Sequence, residues 1–205
     1  THLLPLPDPF RGAHRGPDAG MKYARYAEEQ LEAMDRNGLK PAAFIHESIL
    51  SCGGQIVPPA DYFPAIYASV RNKGGLCIAD EVQTGFGRVG SHFWAFELFD
   101  LKPDIVTMGK PAGNGHPLGI VACTREVANG FTNGMEFFNT FGGNPVSSRI
   151  GQAILEVIDQ EGLQAHAEAM GDYLKTGLRE LQQYHPILAD IRGEGLFLGV
   201  ELCDK

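Results

Sequence analysis

The sequence has no excess of basic residues, and this absence bears on its partners. Its 205 residues carry 17 lysines and arginines against 25 acidic residues, which gives a formal net charge of −8. Proteins that bind nucleic acids or anionic membranes through charge display a basic patch that pairs with phosphate groups. The composition therefore argues against nucleic-acid and membrane partners, and leaves room for one cationic pocket that holds a single phosphate.

Long apolar runs and paired cysteines are also missing. No uninterrupted run reaches the roughly 18 apolar residues of a membrane-spanning helix, and no charged N-terminal region precedes a hydrophobic segment. The four cysteines, at positions 52, 77, 123 and 203, lie too far apart for a zinc-finger or redox motif. The sequence thus predicts a globular protein of the reducing cytoplasm.

Three common catalytic signatures are absent as well. The histidines at 46, 92 and 116 do not have the spacing of metal ligands, and no Gly-x-Ser-x-Gly segment exists for a hydrolase. The short GNG run at residues 113–115 lacks the third glycine of a dinucleotide-binding loop. We therefore predict no metal site, no serine-hydrolase elbow and no dinucleotide fingerprint.

Two short apolar runs that are present end in residues with useful chemistry. Residues 76–80 read LCIAD and residues 104–110 read DIVTMGK, and each run predicts a buried strand. The carboxyl ends of parallel strands converge on the ligand crevice of an α/β sheet, so Asp80 and Lys110 are expected to face one small molecule. Pyridoxal phosphate needs such a pair, because a lysine amine binds its aldehyde and a carboxylate holds its pyridine nitrogen protonated.

The surroundings of these two residues resemble the central motifs of the class III aminotransferases, fold-type I enzymes that use pyridoxal phosphate. The motifs are residues 80–90 (DEVQTGFGRVG) and 103–110 (PDIVTMGK). Further similar segments follow in family order, at residues 92–97 (HFWAFE), 113–118 (GNGHPL), 138–145 (FNTFGGNP) and 191–196 (IRGEGL). The resemblance covers nearly the whole chain and implies an α/β fold with a mainly parallel sheet between helices.

The resemblance also implies roles for individual residues. Lys110 would form the internal aldimine, and Asp80 would pair with the pyridinium. Val82 would pack on one face of the ring, and Gln83 would hydrogen-bond its phenolic oxygen. Thr140 matches the threonine that reaches the cofactor phosphate of a neighbouring subunit, which implies a homodimer with shared active sites.

Patterns along the chain place these residues in two domains. Glu47, at the end of a strand predicted to be buried over residues 42–47, is counted with the cofactor-binding residues. Asn144 and Pro145 predict a helix start, and the apolar stripe that follows is predicted to be core; its members are Ile150, Ala153, Ile154, Val157 and Ile158.

We assign residues 1–158 to the cofactor-binding large domain and 159–205 to the beginning of a small α+β domain. Because the chain starts without methionine and ends after a strand-like run, we expect it to belong to a longer protein.

Two reactions, and one non-catalytic alternative, are compatible with these motifs. The first is transamination, the transfer of an amino group from a primary amine or amino acid to a 2-oxo acid. Many transaminases of this class have Glu-Pro and then a second glutamate near the position of Cys52, whereas residues 48–55 here read SILSCGGQ. That form is most similar to the phospho-lyases acting on phosphoethanolamine or phosphohydroxylysine, which makes β-elimination of phosphate the second possibility. The third is a homologous domain that binds cofactor or a partner without turnover.

Overall fold

The computed structural model describes residues 1–203 as five α-helices, six strands and two 3₁₀ helices. The α-helices are α1 (Ala19–Arg36), α2 (Tyr62–Asn72), α3 (Arg125–Phe131), α4 (Pro145–Gln160) and α5 (Leu163–Tyr184). The strands are β1 (Ala43–Glu47), β2 (Leu76–Asp80), β3 (Ile105–Met108), β4 (Ile120–Cys123), β5 (Leu188–Glu194) and β6 (Phe197–Leu202). The 3₁₀ helices span Ala95–Phe99 and Lys110–Ala112.

The first four strands form one mixed, mainly parallel sheet in the order β1-β2-β3-β4. β1, β2 and β3 run parallel, and β4 is antiparallel to β3. Parallel neighbours need long crossover connections, which α2 and the segment around the first 3₁₀ helix provide. The predicted α/β class is confirmed.

The main apolar core lies between α1, α2 and the sheet. Both helices turn aromatic and aliphatic residues inward at helical spacing, among them Tyr23 and Leu31 of α1 and Phe63 and Val70 of α2. Cys77 of β2 closes the cluster from the sheet side. Each fully buried large side chain of this kind contributes about 1.5–3 kcal/mol, so this cluster is a major source of the free energy of folding.

β1 differs from its prediction as a buried strand. Ala43 is exposed and Ile45 is 59% exposed, whereas His46 is buried. The reason is position, since β1 is the edge strand of the described sheet and only one of its faces is covered, by α2.

α4 begins as predicted but is less buried than predicted. The Asn144 side chain accepts a hydrogen bond of 2.9 Å from the Ser147 backbone, with Pro145 at the first helical position. None of its residues is fully buried, and Val157 of the stripe is 42% exposed. The prediction of a core stripe is wrong for this helix, because α4 packs chiefly against α5 and leaves most of its circumference open.

The last two strands form a separate antiparallel hairpin against α5. β5 begins at Leu188 and ends at Glu194, and β6 follows from Phe197. The close approach of hairpin and helix depends on glycine, because a Cβ added to Gly171 of α5 would lie 2.0 Å from the Gly195 carbonyl oxygen.

Candidate active site

The ends of three neighbouring strands place the candidate residues at one edge of the sheet. Glu47 and Asp80 are register partners at the ends of β1 and β2, and Asp80 is in turn the partner of Thr107 in β3. Lys110 follows the end of β3 by two residues. The residues that carry these carboxylates and this amine therefore lie at the same carboxyl edge of the sheet.

The backbone of Lys110 has a left-handed conformation with a φ of 37°. Its carbonyl oxygen accepts hydrogen bonds from the backbone N–H groups of Gly113, at 3.2 Å, and Asn114, at 3.0 Å. Pro111 follows immediately in the 3₁₀ helix and fixes the next φ. These constraints hold the start of the exposed lysine side chain in one direction.

Asp80 and Val82 lie on the turn that leaves β2. One Asp80 carboxylate oxygen accepts a hydrogen bond of 3.0 Å from the Val82 backbone N–H, and the side chain is half-buried. A Cβ added to Gly109 would lie 3.5 Å from Val82 Cγ1, which places the valine side chain beside the residue before Lys110. The turn thus places an apolar surface beside the residue that precedes Lys110.

Gln83 is connected to Glu47 through Ser51. The Gln83 Nε2 atom donates to Ser51 Oγ at 2.6 Å, and Ser51 Oγ donates to Glu47 Oε1 at 2.7 Å. The Ser51 backbone N–H also donates to Glu47 Oε2, at 2.8 Å. Glu47 therefore reaches Gln83 through the Ser51 hydroxyl, and it does not line the cavity itself.

Glu81 anchors this turn from inside the protein. Its fully buried carboxylate accepts hydrogen bonds from the hydroxyls of Ser48, at 2.6 Å, and Thr84, at 3.0 Å. It also accepts from the backbone N–H groups of Ala95, at 2.9 Å, and Phe96, at 3.0 Å. Burial raises the pKa of Glu81, and the four donors oppose that rise. A buried carboxylate with four partners fixes the loops that carry Val82, Gln83 and Ser51.

A cavity of about 580 Å³ opens in front of these residues. It is lined by Val82, Gln83, Arg88, Lys110, Pro111, Asn114, Gly115 and Phe197. Its volume suits a small ligand, since such sites enclose about 300–1,000 Å³. Among the described residues that line the cavity, the ionisable ones are Lys110 and Arg88, and both are cationic, so the cavity suits a ligand with an anionic group.

The donor set of the cavity fits pyridoxal phosphate. The Lys110 amine can bind an aldehyde, Val82 offers an apolar surface, and Gln83 offers an amide to a ring oxygen. Asp80 does not line the cavity; it ends the neighbouring strand, from which its carboxylate would face the ring nitrogen. An aromatic ring with an aldehyde, an anionic substituent and a basic ring nitrogen is the kind of molecule that these groups complement.

Of the six predicted site residues, Lys110, Val82 and Gln83 line the cavity, whereas Asp80, Glu47 and Thr140 do not, and Thr140 lies in a different segment. It is exposed in the segment between α3 and α4 and does not line the cavity.

The sequence did not single out Ser51, Arg88 or Phe197. Arg88 sits inside the recognised 80–90 motif, and Ser51 lies four residues after Glu47, the spacing at which a side chain can return to a preceding carboxylate. Phe197 reaches the cavity from β6, far along the sequence, and no local signal indicates it.

Within residues 1–203 no group of three or more histidine, cysteine or acidic side chains is arranged to hold a metal ion. In the same part of the chain, no helix combines the length and the apolar character needed to cross a membrane.

Comparison with known proteins identifies similar sequences over the whole chain. The profile of the family described as Aminotransferase class-III matches residues 1–205. A Drosophila melanogaster protein named alanine–glyoxylate aminotransferase 2-like is 52% identical over 208 residues, which cover 98% of this chain and 42% of the relative. The ethanolamine-phosphate phospho-lyase homolog 1 of Caenorhabditis elegans is 44% identical over 215 residues, covering 98% of this chain and 46% of the relative.

A solved structure gives the same result for the fold. A phospholyase from Arthrobacter, in complex with phosphoethanolamine, superposes with a TM-score of 0.93 at 37% identity, over 99% of this chain and 48% of that one. The chain thus spans less than half the length of these relatives.

Proposed function

Since the chain belongs to the class III aminotransferase family, we propose that the protein carrying it is a pyridoxal-phosphate enzyme that transfers an amino group from a primary amine or amino acid to a 2-oxo acid. One observation carries the proposal. The carboxyl edge of the sheet brings Lys110, Val82 and Gln83 to one cavity, with Asp80 on the adjoining strand end.

The bound cofactor would supply an aldehyde and a ring that accepts electrons. Lys110 would hold the aldehyde through its amine, and once the substrate amine has displaced it there, the freed Lys110 amine would take up and return the proton of the substrate carbon as a general base. Asp80 would hold a proton on the ring nitrogen, because an ionised carboxylate favours the charged form of a neighbouring base. Val82 would cover one ring face, and Gln83 would donate an N–H to the phenolic oxygen.

A second candidate is β-elimination of phosphate from a phosphorylated amine, and two observations favour it. The Arthrobacter structure with a TM-score of 0.93 is a phospholyase that holds phosphoethanolamine, and the Caenorhabditis elegans relative is named as an ethanolamine-phosphate phospho-lyase homolog. In addition, Cys52 stands where many transaminases of the class have a second glutamate. We rank transamination first because the Drosophila relative, the more similar of the two curated proteins at 52% identity, is named as an aminotransferase.

One experiment separates the two reactions. The full-length protein is incubated with phosphoethanolamine alone, and separately with amine donors plus pyruvate or glyoxylate. Transamination requires the oxo acid and gives ping-pong kinetics, because the amino group stays on the enzyme until an acceptor removes it. Catalytic release of phosphate with no oxo acid present would reverse our ranking. Lys110→Ala serves as the blank in both assays.

We further propose a homodimer in which Thr140 contacts the cofactor phosphate of the partner. What supports this is the segment around Thr140, whose large apolar side chains are 64% to 82% exposed; they are Phe131, Met135, Phe137, Phe138 and Phe141. Contiguous apolar surface of this kind marks an interaction site. Its burial against a second subunit would remove these side chains from water.

A cytoplasmic location is likewise a proposal. Its support is that Cys52, Cys77, Cys123 and Cys203 are all free, as in proteins of reducing compartments.

A further inference from the structure

Ser51 is a buried hydroxyl held between two residues of the candidate site. It is 4% exposed, and its Oγ lies 2.7 Å from Glu47 Oε1 and 2.6 Å from Gln83 Nε2. Of these three residues Gln83 alone lines the cavity. Ser51 therefore touches the site only through Gln83.

The number of protons decides the direction of each hydrogen bond. A serine hydroxyl has one proton and a carboxylate has none, so the contact with Glu47 uses the proton of Ser51. The Ser51 oxygen can then only accept, and its partner must be a donor. The Gln83 amide has two N–H donors on nitrogen and none on oxygen, so it must turn its nitrogen toward Ser51.

The loop that carries Ser51 is rigid enough to impose this orientation. The Ser51 carbonyl oxygen accepts from the backbone N–H groups of Gly54, at 3.0 Å, and Gln55, at 3.2 Å. The Ser51 backbone N–H is bonded to Glu47, and the Gly54 carbonyl accepts from Arg192 Nε at 2.8 Å. Movement of Ser51 would break several of these contacts together.

We infer that Ser51 is a positioning residue, which as an obligate acceptor backed by Glu47 fixes the Gln83 amide so that its second N–H is available to an oxygen of the ligand. The inference rests on the proposed function, since the ligand oxygen is the phenolic oxygen of pyridoxal phosphate. Without the Ser51 hydroxyl, the amide can rotate by half a turn and present its carbonyl oxygen instead.

The test uses the spectrum of the full-length protein loaded with pyridoxal phosphate. Its visible absorbance changes with pH, and an N–H donated to the phenolic oxygen favours the deprotonated form. Ser51→Ala should therefore raise the midpoint of that transition by about 0.5–1 pH unit, the equivalent of one neutral hydrogen bond. Ser51→Thr, which keeps the hydroxyl, should restore the midpoint.

A double-mutant cycle shows whether Ser51 acts through Gln83. Gln83→Ala removes the donor, so Ser51→Ala should shift the midpoint no further in that background. Ser69→Ala is the matched control, since Ser69 also donates to a glutamate, Glu28, at 3.5 Å, but between α1 and α2. It should leave the midpoint unchanged.

The outcomes separate the inference from the proposed function. If the unchanged protein takes up pyridoxal phosphate without a Lys110-dependent visible band, the proposed function fails. If the band forms and Ser51→Ala leaves the midpoint unchanged, or shifts it equally with and without Gln83, the inference is overturned. If Ser51→Thr fails to fold because its extra methyl group does not fit, the double-mutant cycle of Ser51→Ala and Gln83→Ala still tests the inference.

Discussion

Lys110 presents its amine from a backbone conformation that L-residues rarely adopt, with a φ of 37°. Such a conformation costs about 1–3 kcal/mol and persists only where the surroundings enforce it. Here Gly113 and Asn114 enforce it through hydrogen bonds to the Lys110 carbonyl. The strain is what directs the side chain into the cavity, beside Val82.

Lys110→Ala should abolish turnover and the visible cofactor band while leaving the fold intact. Alanine and lysine experience the same backbone strain at this φ, so the substitution removes the amine and its aliphatic stem without changing that strain. We expect kcat to fall by at least about 100-fold, since a general base by itself contributes about 10²–10⁴-fold. Steady-state kinetics and circular dichroism check this, with exposed Lys102→Ala as the control. Activity within tenfold of that of the unchanged protein would contradict the assignment of Lys110 as cofactor anchor and general base.

Asp80→Asn should lower kcat/KM strongly without unfolding the chain. The amide oxygen can still accept the hydrogen bond from the Val82 N–H, but a neutral amide cannot hold a proton on the ring nitrogen. We expect a loss of several kcal/mol of transition-state stabilisation, of the order seen when a charge-stabilising group is removed. The matched control is Asp100→Asn, at an exposed position with a φ of 50° that asparagine tolerates. An unaltered rate and pH profile in Asp80→Asn would refute the assignment.

At the scale of elements, β1 and α2 share a histidine that the folded protein keeps neutral. His46 is packed against Phe63, with ring centroids 4.0 Å apart, and its Nε2 lies 2.8 Å from the Tyr67 hydroxyl. Its Nδ1 has no hydrogen-bond partner among the described residues. Burial lowers the pKa of His46 from 6.5 to about 4.

This histidine should make folding stability depend on pH in the acid range. Between pH 6.5 and about 4 the unfolded chain takes up a proton that the folded chain does not, so the free energy of unfolding falls as the pH drops. The contribution is up to about 3 kcal/mol, present in full above pH 6.5 and lost toward pH 4. Urea denaturation at several pH values should show a shallower slope for His46→Phe and an unchanged slope for exposed His185→Phe. Equal slopes for all three proteins would contradict the assignment.

Local sequence signals predicted where helices and strands form more accurately than how deeply those elements are buried. The runs before Asp80 and Lys110 are strands because apolar residues end at polar ones, and the caps Asn144 and Pro145 start a helix through contacts within four residues. The exposure of Ile45 and Val157 depends on which elements lie alongside in space, and periodicity does not contain that information.

The candidate site shows the same limit. The sequence could predict that Asp80 and Lys110 lie near each other, because the carboxyl ends of parallel strands converge. The hydrogen bond between Ser51 and Gln83 joins residues that are 32 positions apart, and only the folded chain brings them together. The place of Phe197 in the cavity wall likewise follows from the hairpin and not from its own segment.

At the scale of the whole molecule, an ionic network connects the β5–β6 hairpin to the N-terminal segment. Arg192 bonds the carboxylates of Asp190, at 2.9 Å, and Glu201, at 2.6 Å, and Arg11 of the N-terminal segment reaches the same Glu201 at 2.6 Å. Arg192 Nε also donates a hydrogen bond to the carbonyl oxygen of Gly54, in the loop that carries Ser51. Arg192 thus connects the described part of the proposed small domain to the loop that orients Gln83.

The 205-residue chain by itself should bind pyridoxal phosphate weakly. Among the described residues that line the cavity, Lys110 and Arg88 are cationic. The Lys110 amine would be bound to the aldehyde, which would leave Arg88 to face a doubly charged phosphate. An anion withdrawn from water needs several charge-assisted hydrogen bonds, and the described lining does not provide them. We therefore expect the isolated chain to titrate with a Kd well above about 1 μM, where binding is worth about −8 kcal/mol. A protein that carries this chain within the length seen in the relatives should bind far more tightly. The comparison is an absorbance titration of both proteins, with Lys110→Ala as the blank, and saturable micromolar binding by the 205-residue chain would show that its own residues complete the phosphate site.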